Sequence, residues 1–244
     1  MTLPVFVVDA ESLRADSVEL SGDEGRHAVV VKRIRVGEHV MLTDTLGSGA
    51  ECVVRSVSKN SLAAEVLVRR EEMLAQPRLV VVQAIPKGDY GERAVDLLTE
   101  VGVDEIVPWA SSRTIVSWSG ERRDKALSRW RATARAAAKQ SRRLRFSVVA
   151  ALHTTEQVVE RVQDAALALV LHETADTSLT AYDTPVEGEV VIVVGPEGGL
   201  TDAELSAFAA AGARVARLGP TVLRSSTAGA VAAAVISSRT SRWS

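Results

Sequence analysis

The sequence predicts an α/β protein in which a small β-rich N-terminal domain precedes a larger domain with a helix-covered parallel sheet. Three observations carry this expectation. Short β-prone runs recur at roughly ten-residue spacing through the first part of the chain. From residue 79 onward, continuous apolar runs alternate with helical patterns, as buried parallel strands and their crossover helices do. Near the C-terminus, two glycine-bearing loops each follow an apolar run and precede a helical segment, the arrangement that holds a ligand at the carboxyl edge of a parallel sheet.

In chain order, the N-terminal runs are 29–31, 39–42, 51–54 and 63–68, separated by turn chemistry at 35–37, 46–49 and 59–61. Such spacing predicts a small barrel over residues 1–73. The polar stretch 69–77 reads as a linker, and the second domain is expected over 78–244. There, 79–85 is a continuous apolar strand, 92–101 a helix ending at Gly102, and 105–108 another strand. Residues 190–194 and 215–218 read as the strands that feed the two glycine loops. Thr201-Asp202-Ala203-Glu204 has the spacing of a capping box, which places a helix start after the first loop.

Composition narrows the function classes. With 46% hydrophobic and 25% charged residues in 244, the chain has the make-up of a globular protein of one or two domains. No apolar run approaches the roughly 18 residues that span a membrane. Met1-Thr2-Leu3-Pro4-Val5-Phe6 lacks the layout of a signal peptide, so the cytosol is the expected compartment. Cys52 is the only cysteine, which excludes an intramolecular disulfide and a cysteine-cluster metal site.

The net charge of −2 is uninformative, but its distribution is not. Residues 113–145 hold eleven Lys/Arg against two Asp/Glu, the footprint of a polyanion-binding surface. On the helix around Trp130, Leu127, Trp130, Ala134, Ala137 and Ala138 form one stripe. Arg131, Arg135, Lys139 and Arg142 form the adjacent one, expected to face outward toward nucleic acid. A solvated charged face is the plainer alternative.

The first glycine loop is Gly195-Pro196-Glu197-Gly198-Gly199-Leu200; it is neither a Walker A loop nor a G-x-G-x-x-G dinucleotide loop. The second is Leu218-Gly219-Pro220-Thr221-Val222-Leu223-Arg224-Ser225-Ser226-Thr227-Ala228. Together with upstream motifs they resemble the SPOUT class of RNA methyltransferases, specifically the 16S ribosomal RNA (uracil-N3)-methyltransferase family. The motifs are His27-Ala28-Val29-Val30-Val31-Lys32-Arg33-Ile34-Arg35-Val36-Gly37, Lys87-Gly88-Asp89, Thr99-Glu100-Val101-Gly102-Val103 and Gln140-Ser141-Arg142-Arg143. The resemblance runs nearly the whole chain. One departure stands out: where the family has Arg-Thr-Glu-Thr-Ala, this sequence has Ser226 in place of the carboxylate. A serine there is expected to replace it as a helix cap.

The resemblance implies a PUA-like barrel, then an α/β domain with a C-terminal trefoil knot, and S-adenosylmethionine as cofactor without a metal. It implies a cofactor site made of Leu171, His172 and Glu173, of Gly195, Pro196, Glu197, Gly198 and Gly199, and of Leu218, Gly219, Leu223, Ser225, Thr227 and Ala228. Gly198→Val is expected to abolish cofactor binding with the fold intact. Uracil N3 must lose a proton before methyl transfer. Arg224 is the candidate stabiliser of the resulting anion, and Glu197 or Glu173 the candidate active-site carboxylate. His27, Lys32, Arg33 and Arg35 are candidate RNA contacts of the barrel, and Lys87, Arg131, Arg135, Lys139, Arg142 and Arg143 of the rest. His27 and His172 read equally well as structural histidines. The implied partners are the small ribosomal subunit with its 16S RNA and a second copy of the chain, the small apolar helix 228–236 being a candidate dimer surface. Competing functions are methylation of ribose 2′-oxygen or of transfer RNA, and a non-catalytic RNA-binding assembly factor.

Overall fold

A computed structural model describes residues 3–116 and 118–243; Met1 and Thr2 of the N-terminal stretch, Ser117 and Ser244 lie outside them. The chain divides into two units, Met1–Leu74 with Ala138–Phe146, and Ala75–Ala137 with Ser147–Ser244. Residues 138–146 thus group with the first unit, although they lie within the range 78–244 expected for the second.

The first unit is a five-stranded sheet of β1 (Val5–Val7), β2 (Ser17–Leu20), β3 (His39–Thr43), β4 (Ser48–Val57) and β5 (Leu62–Glu71), in the order β1-β3-β4-β5-β2. All pairings but β1–β3 are antiparallel. Two register shifts in the long β4–β5 hairpin bend it around a core of Phe6, Leu20, Leu42, Cys52, Val54 and Leu62. Two expectations fail here. Residues 29–31 are not a strand: α1 (Gly22–Arg26) runs on into a wide helical turn, His27–Val31, closed by Lys32 N–H donating to His27 O at 2.9 Å. Only Ala28 of that turn is fully buried, while Val30 and Val31 face solvent, so β propensity has no partner strand to satisfy. The linker expected at 69–77 also begins later, because β5 continues through Glu71. Arg69 there donates to the carbonyls of Leu13, Arg14 and Ala15, each at 3.0 Å. Segment 138–146 is held by Leu144 N–H and Arg145 N–H donating to Glu72 Oε2 at 2.9 and 3.1 Å.

The second unit is a six-stranded, all-parallel sheet. Its strands are β6 (Arg78–Ala84), β7 (Glu105–Trp109), β8 (Val148–Val149), β9 (Leu167–Leu171), β10 (Glu189–Val194) and β11 (Arg214–Ala216). Their order is β11-β9-β10-β6-β7-β8. From β6 the chain moves outward through β7 and β8, then returns to the other side of β6, so the order reverses between β6 and β10. Alternate residues of β6 serve opposite faces. Leu79 and Val81 pack with α2 (Tyr90–Glu100), α3 (Gly120–Gln140) and α6 (Ser225–Ser238) through Val95, Leu98, Trp130, Ala134, Ala233 and Ile236. Val80 and Val82 pack with α4 (Thr155–Asp164) and α5 (Asp202–Ala210) through Val158, Val162 and Phe208. That double burial is why these strands read as unbroken apolar runs.

The stripe Leu127, Trp130, Ala134, Ala137 and Ala138 is buried as expected. The expected strand 215–218 is shifted: β11 ends at Ala216, and Arg217 leaves the ladder to pair with the 177–179 segment, its N–H donating to Thr177 O at 2.9 Å. The small residues of α6, expected as a dimer surface, serve its own core instead. Ala228, Ala230, Ala232, Ala233 and Ile236 are buried there, and Gly229 sits so close to the sheet that a Cβ would lie 3.2 Å from Val81 and from Leu98.

At the amino ends of the strands, Arg161 bridges Glu105 (2.7 Å) and Glu189 (2.9 Å), and Arg78 bridges the same two carboxylates. Arg242, only 5% exposed, pairs with Asp104 at 2.8 Å and donates to Gly102 O and Pro77 O, pinning the chain's last turn to this end. Charge at the amino edge is therefore mutually satisfied, and the chemistry is at the other edge. Among the described residues no helix is long and apolar enough to cross a membrane, and no group of three or more His, Cys, Asp or Glu side chains is placed to hold a metal.

Candidate active site

At the carboxyl edge of the sheet, beside the point where strand order reverses, lies a cavity of about 350 Å³. The segments following β9, β10 and β11 line it, together with the start of α2 and of α6. Parallel strands all deliver their carboxyl ends here, so loops distant in sequence meet.

The loop after β10 turns at Gly199, whose φ of +71° favours glycine, and Gly199 N–H donates to Pro196 O at 2.9 Å. It is braced from behind by the β7–α3 connection. Arg113 Nη1 donates to the carbonyls of Gly198 and Leu200 at 3.0 and 3.1 Å. Glu204, 3% exposed, accepts from Ser112 N–H at 2.8 Å while completing the capping box with Thr201. Burial works to raise the Glu204 carboxyl, but hydrogen bonds from Ser112 and Thr201 outweigh it and hold the group below its ordinary range.

The loop after β11 is different. Among the described residues, no backbone N–H or C=O of residues 218–223 makes a hydrogen bond to the protein. Five of these six residues line the cavity, and a Cβ built on Gly219 would meet nothing within 4 Å. Backbone groups are obligatory hydrogen-bonding groups, so this strip offers donors and acceptors to a polar, flat ligand that can approach closely. A nucleoside-containing cofactor fits both the strip and the volume. Arg224 follows directly, its side chain at the mouth with Tyr90, Glu197 and Ser225. Glu197 Oε1 accepts from Lys87 N–H at 3.3 Å and Ser225 Oγ at 3.4 Å.

Comparison with known proteins agrees with this geometry. Residues 74–237 match the model of an RNA methyltransferase domain, and residues 20–67 that of an RNA methyltransferase PUA domain. The chain is 43% identical to the ribosomal RNA small subunit methyltransferase E of Mycobacterium tuberculosis, covering 100% of this chain and 94% of that protein. It is 30% identical to the Bacillus subtilis protein of the same name, covering 93% and 91%. The chain belongs to the ribosomal RNA small subunit methyltransferase E family.

Solved structures of similar proteins extend the match. The family's enzyme from Neisseria gonorrhoeae, bound to S-adenosylmethionine, superposes with a TM-score of 0.85 at 26% identity over 97% of this chain and 98% of that one. A putative methyltransferase from Legionella pneumophila, also with S-adenosylmethionine, gives 0.87 at 26% identity over 98% and 99%. The fold is thus a PUA-like domain followed by the α/β SPOUT-like domain of this family.

Within this family's frame, the candidate cofactor and catalytic residues singled out from sequence fall into two groups. Leu171, His172, Glu173, Gly195, Pro196, Glu197, Gly199, Leu218, Gly219, Leu223, Ser225 and Ala228 line the cavity, as does Arg224. Gly198 and Thr227 do not. A Cβ on Gly198 would meet Arg113 at 3.4 Å, an ordinary contact, so its substitution tests the bracing of the loop rather than cofactor approach. Ser226 is corrected as well. It is the second residue of α6, the N-cap position belongs to Arg224, and among the described residues the buried Ser226 Oγ caps nothing and has no partner. A side chain there points into the protein, so the carboxylates available to the cavity are Glu173 and Glu197. His172 Nδ1 and Thr174 Oγ1 are hydrogen-bonded at 2.9 Å, and His172 lines the cavity as well.

The basic residues divide similarly. Lys32, Arg33 and Arg35 are exposed in the first unit, as is Arg142; Lys87, Arg131 and Arg135 are exposed in the second. Arg143 is half-buried. Lys139 does not face outward as expected: its ammonium pairs with Glu24 at 2.8 Å and donates to His27 Nδ1 at 3.3 Å. Burial, then the Lys139 charge, push His27 below the ordinary imidazole range, with Glu24 opposing. Sequence reasoning missed Tyr90, one residue beyond the Lys87-Gly88-Asp89 motif, because nothing in local spacing joins it to Arg224. It also missed Arg113 and the contact of Glu204 with Ser112, because both depend on loops some ninety residues apart.

Proposed function

We infer that this chain transfers the methyl group of S-adenosylmethionine to 16S ribosomal RNA of the small subunit, and that the acceptor is N3 of a uridine. The observation that carries the reading is the unbonded backbone of residues 218–223 at the cavity, with Arg224 at the end of that strip. Leu218, Gly219 and Leu223 would hold the cofactor's base by main chain, with Leu171 to Glu173 and Gly195 to Gly199 across the cavity. Bound there, the cofactor supplies a methyl group already activated by its sulfonium, and no metal is required.

The chain's own contribution concerns charge and proton. Uracil N3–H is a weak acid, and negative charge develops on the ring as the proton leaves. Arg224 faces that charge at the cavity mouth with a permanently cationic guanidinium. Glu197, at the same mouth, accepts the proton. Because N3 lies on the pairing edge, the base reaches the cavity only when unpaired or flipped. Arg131 and Arg135, exposed on α3, contribute phosphate contacts. A homodimer belongs to the same reading, and sedimentation at micromolar concentration tests it.

The deciding experiment is nucleoside mass mapping of small-subunit RNA from a strain lacking this chain. Loss of N3-methyluridine, restored by the wild-type gene, supports the assignment. Persistence of N3-methyluridine with loss of a 2′-O-methylated nucleoside assigns the other chemistry. Absence of S-adenosylmethionine binding in calorimetry at millimolar cofactor would return the chain to a non-catalytic assembly factor.

A further inference from the structure

Arg224 is a long side chain on the surface side of a loop, and its usefulness to a developing anion depends on its being held in place. Its Nη1 donates to Tyr90 Oη at 2.7 Å. The guanidinium carbon lies 5.5 Å from the Tyr90 ring centroid, near the roughly 6 Å limit of cation–π attraction, so the hydrogen bond is the stronger of the two contacts. Among the described residues Tyr90 is the only polar side-chain partner of Arg224, and no carboxylate pairs with it.

We propose that Tyr90 is the positioning residue for Arg224 in methyl transfer, holding the guanidinium at the cavity mouth without neutralising it. The inference rests on the reading that Arg224 stabilises the uracil anion. A carboxylate in the place of Tyr90 would fix the guanidinium as firmly, but it would cancel the charge on which that stabilisation depends. A phenol oxygen accepts the hydrogen bond and leaves the full positive charge facing the substrate. The phenol is itself well anchored. Tyr90 is the first residue of α2, and its neighbour Gly91 is pressed against the Trp130 indole, where a Cβ would come within 2.8 Å of the ring. Trp130 is 1% exposed and belongs to the core beneath the sheet. A rigid helix start therefore presents one neutral acceptor to one mobile cation. Localising a rotamer-rich arginine in this way gains up to roughly thirtyfold in a transition state that requires it; with Arg224 exposed, about tenfold is expected.

The test uses the full chain, tritiated S-adenosylmethionine and small ribosomal subunits that lack the modification. Wild type, Tyr90→Phe, Arg224→Ala and the double variant are compared, with cofactor Kd by calorimetry and melting temperature measured alongside. Tyr90→Phe keeps the ring and removes the acceptor. The expected result is a kcat about tenfold lower, with cofactor Kd and subunit KM within about twofold of wild type, an unchanged melting temperature, and no further loss when the change is added to Arg224→Ala. A wild-type kcat in Tyr90→Phe, a loss confined to KM or Kd, or the same loss in both backgrounds would overturn the proposal. Wild-type activity in Arg224→Ala would instead overturn the role given to Arg224, a failure separable from that of Tyr90.

Discussion

Glu204→Ala tests whether the first glycine loop is held by the brace behind it. In the native structure this carboxylate accepts from Ser112 N–H, Thr201 N–H and Thr201 Oγ1, each at 2.8 Å. Loss of the capping box costs about 1 kcal/mol. Loss of a hydrogen bond to a charged acceptor from Ser112 costs about 1.5–3 kcal/mol, the lower figure applying because Ser112 is exposed enough for water to replace part of it. The expected destabilisation is therefore about 2.5 kcal/mol, or roughly 5–10 °C in melting temperature for a unit of this size. Glu204→Gln, which keeps one acceptor oxygen, should lose about half as much. The effect depends on pH. The folded carboxyl is held below its ordinary value of 4.5, so its contribution is complete above that pH and is lost as pH falls through the lower folded value. The gap between wild type and variant should accordingly narrow as pH falls below 4.5. Denaturant unfolding across pH measures this, with cofactor affinity by calorimetry beside it. A loss under about 1 kcal/mol at pH 7 would refute the energetic accounting. An unchanged cofactor Kd in a clearly destabilised variant would show that the brace does not position the loop.

Further outcomes follow from the same geometry. Gly219 lines the cavity and a Cβ added there meets no protein within 4 Å, so in Gly219→Val melting temperature should hold while cofactor binding falls at least tenfold; retained affinity would remove the loop from the site. Gly199→Ala forces a side chain into φ +71° and should cost about 1 kcal/mol, whereas Gly198→Ala should be near neutral; equal melting temperatures would contradict this. Arg131→Ala with Arg135→Ala should weaken RNA binding and flatten its salt dependence by about one to two logarithmic units of slope, and an unchanged slope would mark α3 as a solvated face. Arg242→Ala leaves Asp104 buried without its cation and should lose about 3–5 kcal/mol of stability in chemical unfolding, with cofactor Kd unaffected because the pair sits at the opposite edge of the sheet.

The sequence by itself determined the elements and the chemistry of the loops. Unbroken apolar runs such as Val190 to Val194 read as parallel strands because both their faces are buried, and the Thr201–Glu204 spacing announced a helix start that both capping bonds fulfil. These signals are local, so they survive in one dimension. The motifs that carry the resemblance likewise placed most of the cavity lining by residue number. Where local propensity met a tertiary demand, it lost. The valines after His27 turn helically for want of a partner strand, and the alanines of α6 are consumed by its own core. Lys139 sits with Glu24 because a helical stripe describes direction only, not what occupies the space in front of it.

Only the tertiary structure decided what each loop residue does. Gly198 reads as a pocket residue and Ser226 as a helix cap in sequence, yet Gly198 packs toward Arg113 and Ser226 is buried one position inside the start of α6. Tyr90 and Arg224 are 134 positions apart and Ser112 and Glu204 are 92 apart, yet each pair is hydrogen-bonded. The physical reason is the parallel sheet. It gathers the carboxyl ends of strands from the whole domain at one edge, so the site is assembled by strand order, which no local pattern of residues encodes.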